Sequence, residues 1–143
     1  MGREQQSRRI SEWIFIACGV WMLGLGIYFM VSRPALLPED ARFMGSSLAE
    51  IQASLPRLER WLSRVFGVMG GFMAGAGALT VFVAATAVSP RHRGTGAVLA
   101  LAGLLTVVAM SATNFMIDSD FKWLLLAPAL LWFSGVVCYW LQW

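Results

Sequence analysis

The chain has 143 residues, 58% of them hydrophobic and only 13% charged, with a formal net charge of +3. A soluble domain carries roughly a quarter charged residues, so ordinary soluble, disordered, collagen-like and disulfide-scaffold classes are excluded. A small integral membrane protein is what remains.

Residues 13–31, 65–88, 97–117 and 123–141 form four apolar runs with no charge inside them. Crossing a hydrocarbon core of about 30 Å takes about 20 helical residues. Backbone groups in lipid must be satisfied within the segment, so each run is expected to be a helix. The fold class expected is therefore all-α, an integral membrane four-helix bundle forming a single domain over residues 1–143. The first run ends in Val31-Ser32-Arg33-Pro34, without a small-residue cleavage site, and reads as an uncleaved anchor rather than a secretory leader.

The ends are placed by their cations and aromatics. Arg3, Arg8 and Arg9 precede the first run, and Arg91, His92 and Arg93 lie between the second and third. Excess Lys and Arg marks the cytoplasmic side, so both termini are expected there. The opposing loop also holds Arg33, Arg42, Arg57, Arg60 and Arg64, which blurs that asymmetry. Trp13, Trp140 and Trp143 fall at one interface and Trp61 and Trp123 at the other, where amphipathic rings prefer to lie. The net charge follows from this pattern and implies no nucleic-acid partner.

Residues 32–63 form the one long outer loop. Leu48, Ile51, Leu55, Leu58, Leu62 and Val65 recur at spacings of three and four, which predicts a short amphipathic helix. Ser47-Leu48-Ala49-Glu50 reads as its capping box, and Pro56 as its break or kink. Pro38-Glu39-Asp40 suits the first turn of another short helix. Such a face either rests on lipid or docks a partner, for which Leu48, Ile51, Leu55 and Leu58 are the candidates.

The second run carries Gly67, Gly71 and Gly75 at every fourth position. Small residues at this spacing let a helix approach closely. With Gly24 in the first run and Gly103 in the third, they are the expected packing positions, and a homo-oligomer seam is the alternative use. Thr106, Thr113 and Asn114 form a polar stripe in the third run, with Asp118 beyond it and Arg64 at the matching level of the second. These five are the candidate ligand contacts, weighed against an interfacial anchor or structural ion pair.

Cys18 and Cys138 are expected at similar depth on the reducing side, as small apolar residues rather than a disulfide. His92 has no ligand set around it, so no metal is expected. No nucleophile elbow, phosphate loop or dinucleotide fingerprint occurs, and no catalytic residue is assigned.

Three segments carry a resemblance: Gly19-Val20-Trp21-Met22-Leu23-Gly24-Leu25-Gly26, then Arg64-Val65-Phe66-Gly67-Val68-Met69-Gly70-Gly71 after a proline-marked loop, then the basic turn Arg91-His92-Arg93. In this layout the chain resembles DoxX-like small four-helix bacterial membrane proteins. The resemblance implies a bacterial cytoplasmic (inner) membrane protein, and some such proteins are linked to membrane redox complexes and quinones. The function expected is a non-enzymatic accessory or structural subunit docking a larger membrane complex within the lipid bilayer. A redox-linked component binding a quinone or other amphiphile is the first alternative. A small lipid or solute carrier is the second.

Overall fold

The computed structural model describes residues 3–141, with side chains from Ile10 to Leu141. The side chains of Arg3, Arg8 and Arg9, and Trp143, on which part of the orientation reading rests, lie outside the described residues. Helices account for the structure: α1 (Arg3–Val31), α2 (Pro38–Phe43), α3 (Leu48–Ser54), α4 (Leu58–Val83), α5 (Thr95–Gly103), α6 (Ala109–Met116) and α7 (Lys122–Leu141). A wide π turn, Ala84–Val88, ends α4, and a second, Leu104–Val108, joins α5 to α6. Four stretches are long and apolar enough to cross a membrane: Ile10–Val31, Leu58–Val88, Thr95–Met116 and Lys122–Leu141.

The second stretch begins at Leu58, earlier than its apolar run suggests. Leu58 and Leu62 belong to α4 and not to a separate loop helix, because the break at Pro56 falls ahead of them. The loop helices have the predicted caps. Ser47 Oγ accepts from the Glu50 N–H at 3.2 Å, and the Glu50 carboxylate accepts from the Ser47 N–H at 2.9 Å. Asp40 likewise accepts from the Leu37 N–H, behind Pro38 in the first turn of α2.

Each π turn contains a threonine whose hydroxyl donates to the carbonyl four residues back: Thr86 to Phe82 and Thr106 to Ala102. That side-chain bond competes with the backbone N–H for the same oxygen and loosens the ladder locally.

Long-range contacts set the chain direction. Glu12, near the start of α1, accepts from Ser89 beyond α4, so α1 and α4 run oppositely. At the other end, Glu39 of α2 meets Ser119 between α6 and α7. One end thus carries the α2–α3 cap, and the other the basic Arg91 turn.

α1 packs chiefly on α4 and α7, while α5 and α6 pack on α7. The second and third stretches meet mainly where the π turn at Ala84–Val88 reaches α5. The core therefore lies toward the basic-turn end. It is built from Phe15, Cys18 and Met22 of α1, Ala84 and Val88, Leu99 and Val107, and Ala129, Trp132 and Tyr139 of α7. Trp132 donates its indole N–H to the Leu99 carbonyl at 2.9 Å, and Phe15 meets its ring edge-on. A buried indole needs such a partner.

The α1–α4 contact is glycine against glycine. A Cβ on Gly77 would meet Leu23 N at 2.5 Å and Gly19 O at 2.6 Å, and one on Gly70 would meet Gly26 O at 2.5 Å. Two glycines a heptad apart on each helix let the backbones touch. The expectation that Gly67, Gly71, Gly75 and Gly24 do this is corrected: a Cβ on any of them meets nothing within 4 Å. Spacing of four alone does not say which side of the helix faces a neighbour. Gly103 does lie against a neighbour, the Trp132 indole.

Candidate functional site

The five candidate ligand contacts do not assemble. Thr106, Thr113 and Asn114 spend their side-chain donors on carbonyls of their own helical segment, those of Ala102, Ala109 and Met110. In a helix surrounded by apolar groups this is the nearest acceptor. Asp118 pairs with Lys122 one turn on. Arg64 is exposed on α4, which packs on α1, whereas Asn114 lies on α6, which packs on α7. No hydrogen bond or ion pair joins Arg64 to the others among the described residues.

The polar groups that do assemble form a clamp at the cap end. Ser119 is buried, donates to the buried Glu39 carboxylate at 2.9 Å, and accepts from the Phe121 N–H at 3.1 Å. Arg42 donates to the Asp118 carbonyl at 2.9 Å and to the Asp120 carboxylate at 3.0 Å. Asp118 itself has φ of +51°, a left-handed residue that stops α6 and aims its carbonyl at Arg42. Arg33 lies 3.7 Å from the centroid of the Phe66 ring and 5.1 Å from that of Phe29, with Asp40 at 3.8 Å. Gln52 of α3 donates to Glu59 of α4 across the Pro56 turn.

Electrostatics follow these contacts. The Lys122 ammonium, through its hydrogen bond and charge, holds the Asp118 carboxyl below the usual carboxylate range. The Ser47 backbone N–H lowers that of Glu50 in the same way. The hydrogen bond to Asp120 raises the Arg42 guanidinium, while burial lowers that of Arg33 against the opposing pull of Asp40. Together α2, Arg33 and Arg42 strap the α1–α4 pair to the α6–α7 connection.

The partner-docking face predicted for the loop is mostly turned inward. Ile51 is buried, Leu48 and Leu58 are half-buried, and only Leu55 stays exposed. Phe43 and Met44, at the end of α2, are exposed instead. No periodic pattern marks these two residues.

A second polar assembly occupies the basic-turn end. Arg91, at φ of +56°, donates to the Tyr139 carbonyl at 2.6 Å and lies over the Tyr139 ring at 4.8 Å. It adds a donor to a carbonyl toward the C-terminal end of α7, where the helix dipole favours a cation. Its positive charge was legible, but this contact was not. Cys18 is buried in the core, Cys138 is half-buried, and both are free thiols. His92 is exposed, and no group of three His, Cys, Asp or Glu among the described residues could hold a metal ion.

Trp13, Trp61, Trp123 and Trp140 are exposed, and an open groove of about 530 Å³ runs down α4 between Val68 and Leu79. Compared with known family models, curated proteins and solved structures, the chain matches none.

Proposed function

We propose that the chain is an integral membrane protein that crosses the bilayer four times and acts as a non-enzymatic accessory subunit, presenting its cap to a larger membrane partner. The observation that carries this reading is the clamp. Glu39–Ser119, Arg42–Asp120 and the Arg33–Phe66 stack fix a six-residue helix rigidly across one end, yet Phe43 and Met44 at its rim are exposed. A pre-ordered apolar rim loses little conformational entropy on docking. Polar side chains inside the long helices serve their own backbone, which leaves the cap as the most specific surface.

The DoxX-like layout extends the proposal to the bacterial cytoplasmic membrane, with both termini inside. The quinone alternative would hold its ligand near Arg64, Asn114 and Asp118, which no hydrogen bond or ion pair joins among the described residues, and the docking reading is preferred on that ground. A photo-crosslinking residue at Phe43 or Met44, followed by gentle detergent extraction from native membranes, tests the reading. It predicts one stoichiometric crosslinked protein, lost when crosslinking is moved to exposed Leu105 on the third long helix. Recovery of only the lone chain from both cap positions would contradict it.

A further inference from the structure

The cap end holds six basic side chains, and they divide into two sets. Arg33, Arg42 and Lys122 are each engaged by an acidic side chain. Arg57, Arg60 and Arg64 are exposed, and among the described residues no hydrogen bond, ion pair or ring contact engages their side chains. The nearest acid in sequence, Glu59, faces the other way and is bonded by Gln52.

Arg60 and Arg64 lie on one face of the first turns of α4, and Arg57 at its N-cap continues the spacing of three and four. Trp61, also exposed, stands among them. The same spacing carries the face onward through Val68, Gly71, Gly75 and Leu79, which line the open groove of about 530 Å³. The opposite face, with Gly70 and Gly77, is the one buried against α1. A cationic head therefore stands above a shallow, open apolar groove on a single helix face.

The length leaves room for a start at headgroup level. The stretch Leu58–Val88 has 31 residues, about 46 Å at 1.5 Å each, against a hydrocarbon core of about 30 Å. With that excess at its start, the first turns stand in the headgroup layer and Arg64 at the boundary. The groove then begins about 6 Å below the boundary at Val68 and ends about 22 Å below it at Leu79, past the midplane, which is within reach of an acyl chain.

We infer that this face of α4 is a seat for an anionic phospholipid, whose phosphate is held by Arg57, Arg60 and Arg64 and whose acyl chain lies in the groove over Gly71 and Gly75. Arginine forks bind phosphate oxygens in pairs, and the absent Cβ atoms make room for a chain. The inference rests on the membrane-spanning part of the proposed function but not on the docking partner.

The test places the full chain in nanodiscs of equimolar phosphatidylglycerol and phosphatidylcholine, re-extracts it in mild detergent, and counts retained lipid by native mass spectrometry. Each arginine is expected to contribute about fivefold to the preference for the anionic lipid, so phosphatidylglycerol should dominate. The triple change Arg57→Gln, Arg60→Gln, Arg64→Gln should abolish the preference, while Arg93→Gln at the other end leaves it intact. Gly71→Leu, at a position where an added Cβ meets nothing within 4 Å, should lower retention of both lipids by filling the groove. Soluble glycerol phosphate should not displace the lipid.

Equal retention of the two lipids, or a preference that survives the triple change, overturns the inference. So does displacement by glycerol phosphate, which would make the site a phosphate site with no chain groove. So does a dimer that Gly71→Leu dissociates with lipid retention unchanged, since a second copy would then cover the face. A chain that fails to enter nanodiscs defeats the membrane reading itself, whereas one that enters without lipid preference defeats this inference alone.

Discussion

Helix α4 has two glycine faces, and they meet different fates. Gly70 and Gly77 face α1, where Gly19 and Gly26 answer them and the backbones touch. Gly67, Gly71 and Gly75 face outward, where a Cβ would find open space. The first set is seven residues apart and has a matching set on its neighbour; the second is four apart and has none in the chain. Reciprocity between two helices, more than a repeat within one, decides which small residues pack.

Substitutions at the two faces should separate sharply. Gly77→Leu forces a side chain into the α1 backbone, which has no flexible end to move, and is expected to cost more than about 3 kcal/mol or prevent folding. Gly77→Ala should cost about 1–3 kcal/mol. Gly71→Ala and Gly75→Ala should stay within about ±0.5 kcal/mol. Unfolding midpoints in a single detergent check all four, and equal losses at Gly71 and Gly77 would erase the distinction between the faces.

A second close approach sharpens the comparison, because its obstacle is a side chain. Gly103→Ala presses on the Trp132 indole, whose N–H holds the Leu99 carbonyl. Its expected cost is about 1–3 kcal/mol, with a shift in Trp132 fluorescence that Gly71→Ala does not produce. At the cap, Ser119→Ala removes the hydroxyl bonded to the buried Glu39 carboxylate and should cost about 1–2 kcal/mol. Faster amide exchange over residues 38–43, with the α1–α4 contact unchanged, would locate that loss in the clamp.

Acid gives the smallest effect. Asp118 and Glu50 are held below the usual carboxylate range, so their ionised forms stabilise the cap at any pH above that range. This contribution fades as pH falls from the ordinary carboxylate range through the lowered folded values. Hydrogen exchange across α3 should therefore rise at low pH before exchange in α4 does.

Much of the fold could be read from the residues, because hydrocarbon length and capping chemistry are local. Ser47 and Glu50 form their box, and Pro56 stops α3, for reasons contained within four residues. The start of α4 at Leu58 was less clear, since Leu58, Leu62 and Val65 suit a loop helix and an extended span equally. The clamp was out of reach: Glu39 and Ser119 are eighty positions apart, and nothing in either segment announces the other. Thr106, Thr113 and Asn114 looked like a site because they share a stripe, but a stripe does not reveal that each donor returns to its own helix. Arg64 shares the start of α4 with Arg57 and Arg60, and no hydrogen bond or ion pair joins it to Asn114 or Asp118 among the described residues.

The account depends on α4 being glued to α1 along one side and bathed in lipid along the other. Nitroxide labels at single cysteines from 65 to 79, leaving out Gly70 and Gly77 where any side chain meets the α1 backbone, in a Cys18→Ala and Cys138→Ala background reconstituted in vesicles, read this directly. Accessibility to oxygen should oscillate with the helical period, highest at 68, 71, 75 and 79 and lowest at 66 and 73 on the α1 side, while a water-soluble nickel reagent reaches none of them. Collision with nickel along the 68–79 face, or an oscillation of opposite phase, would contradict it.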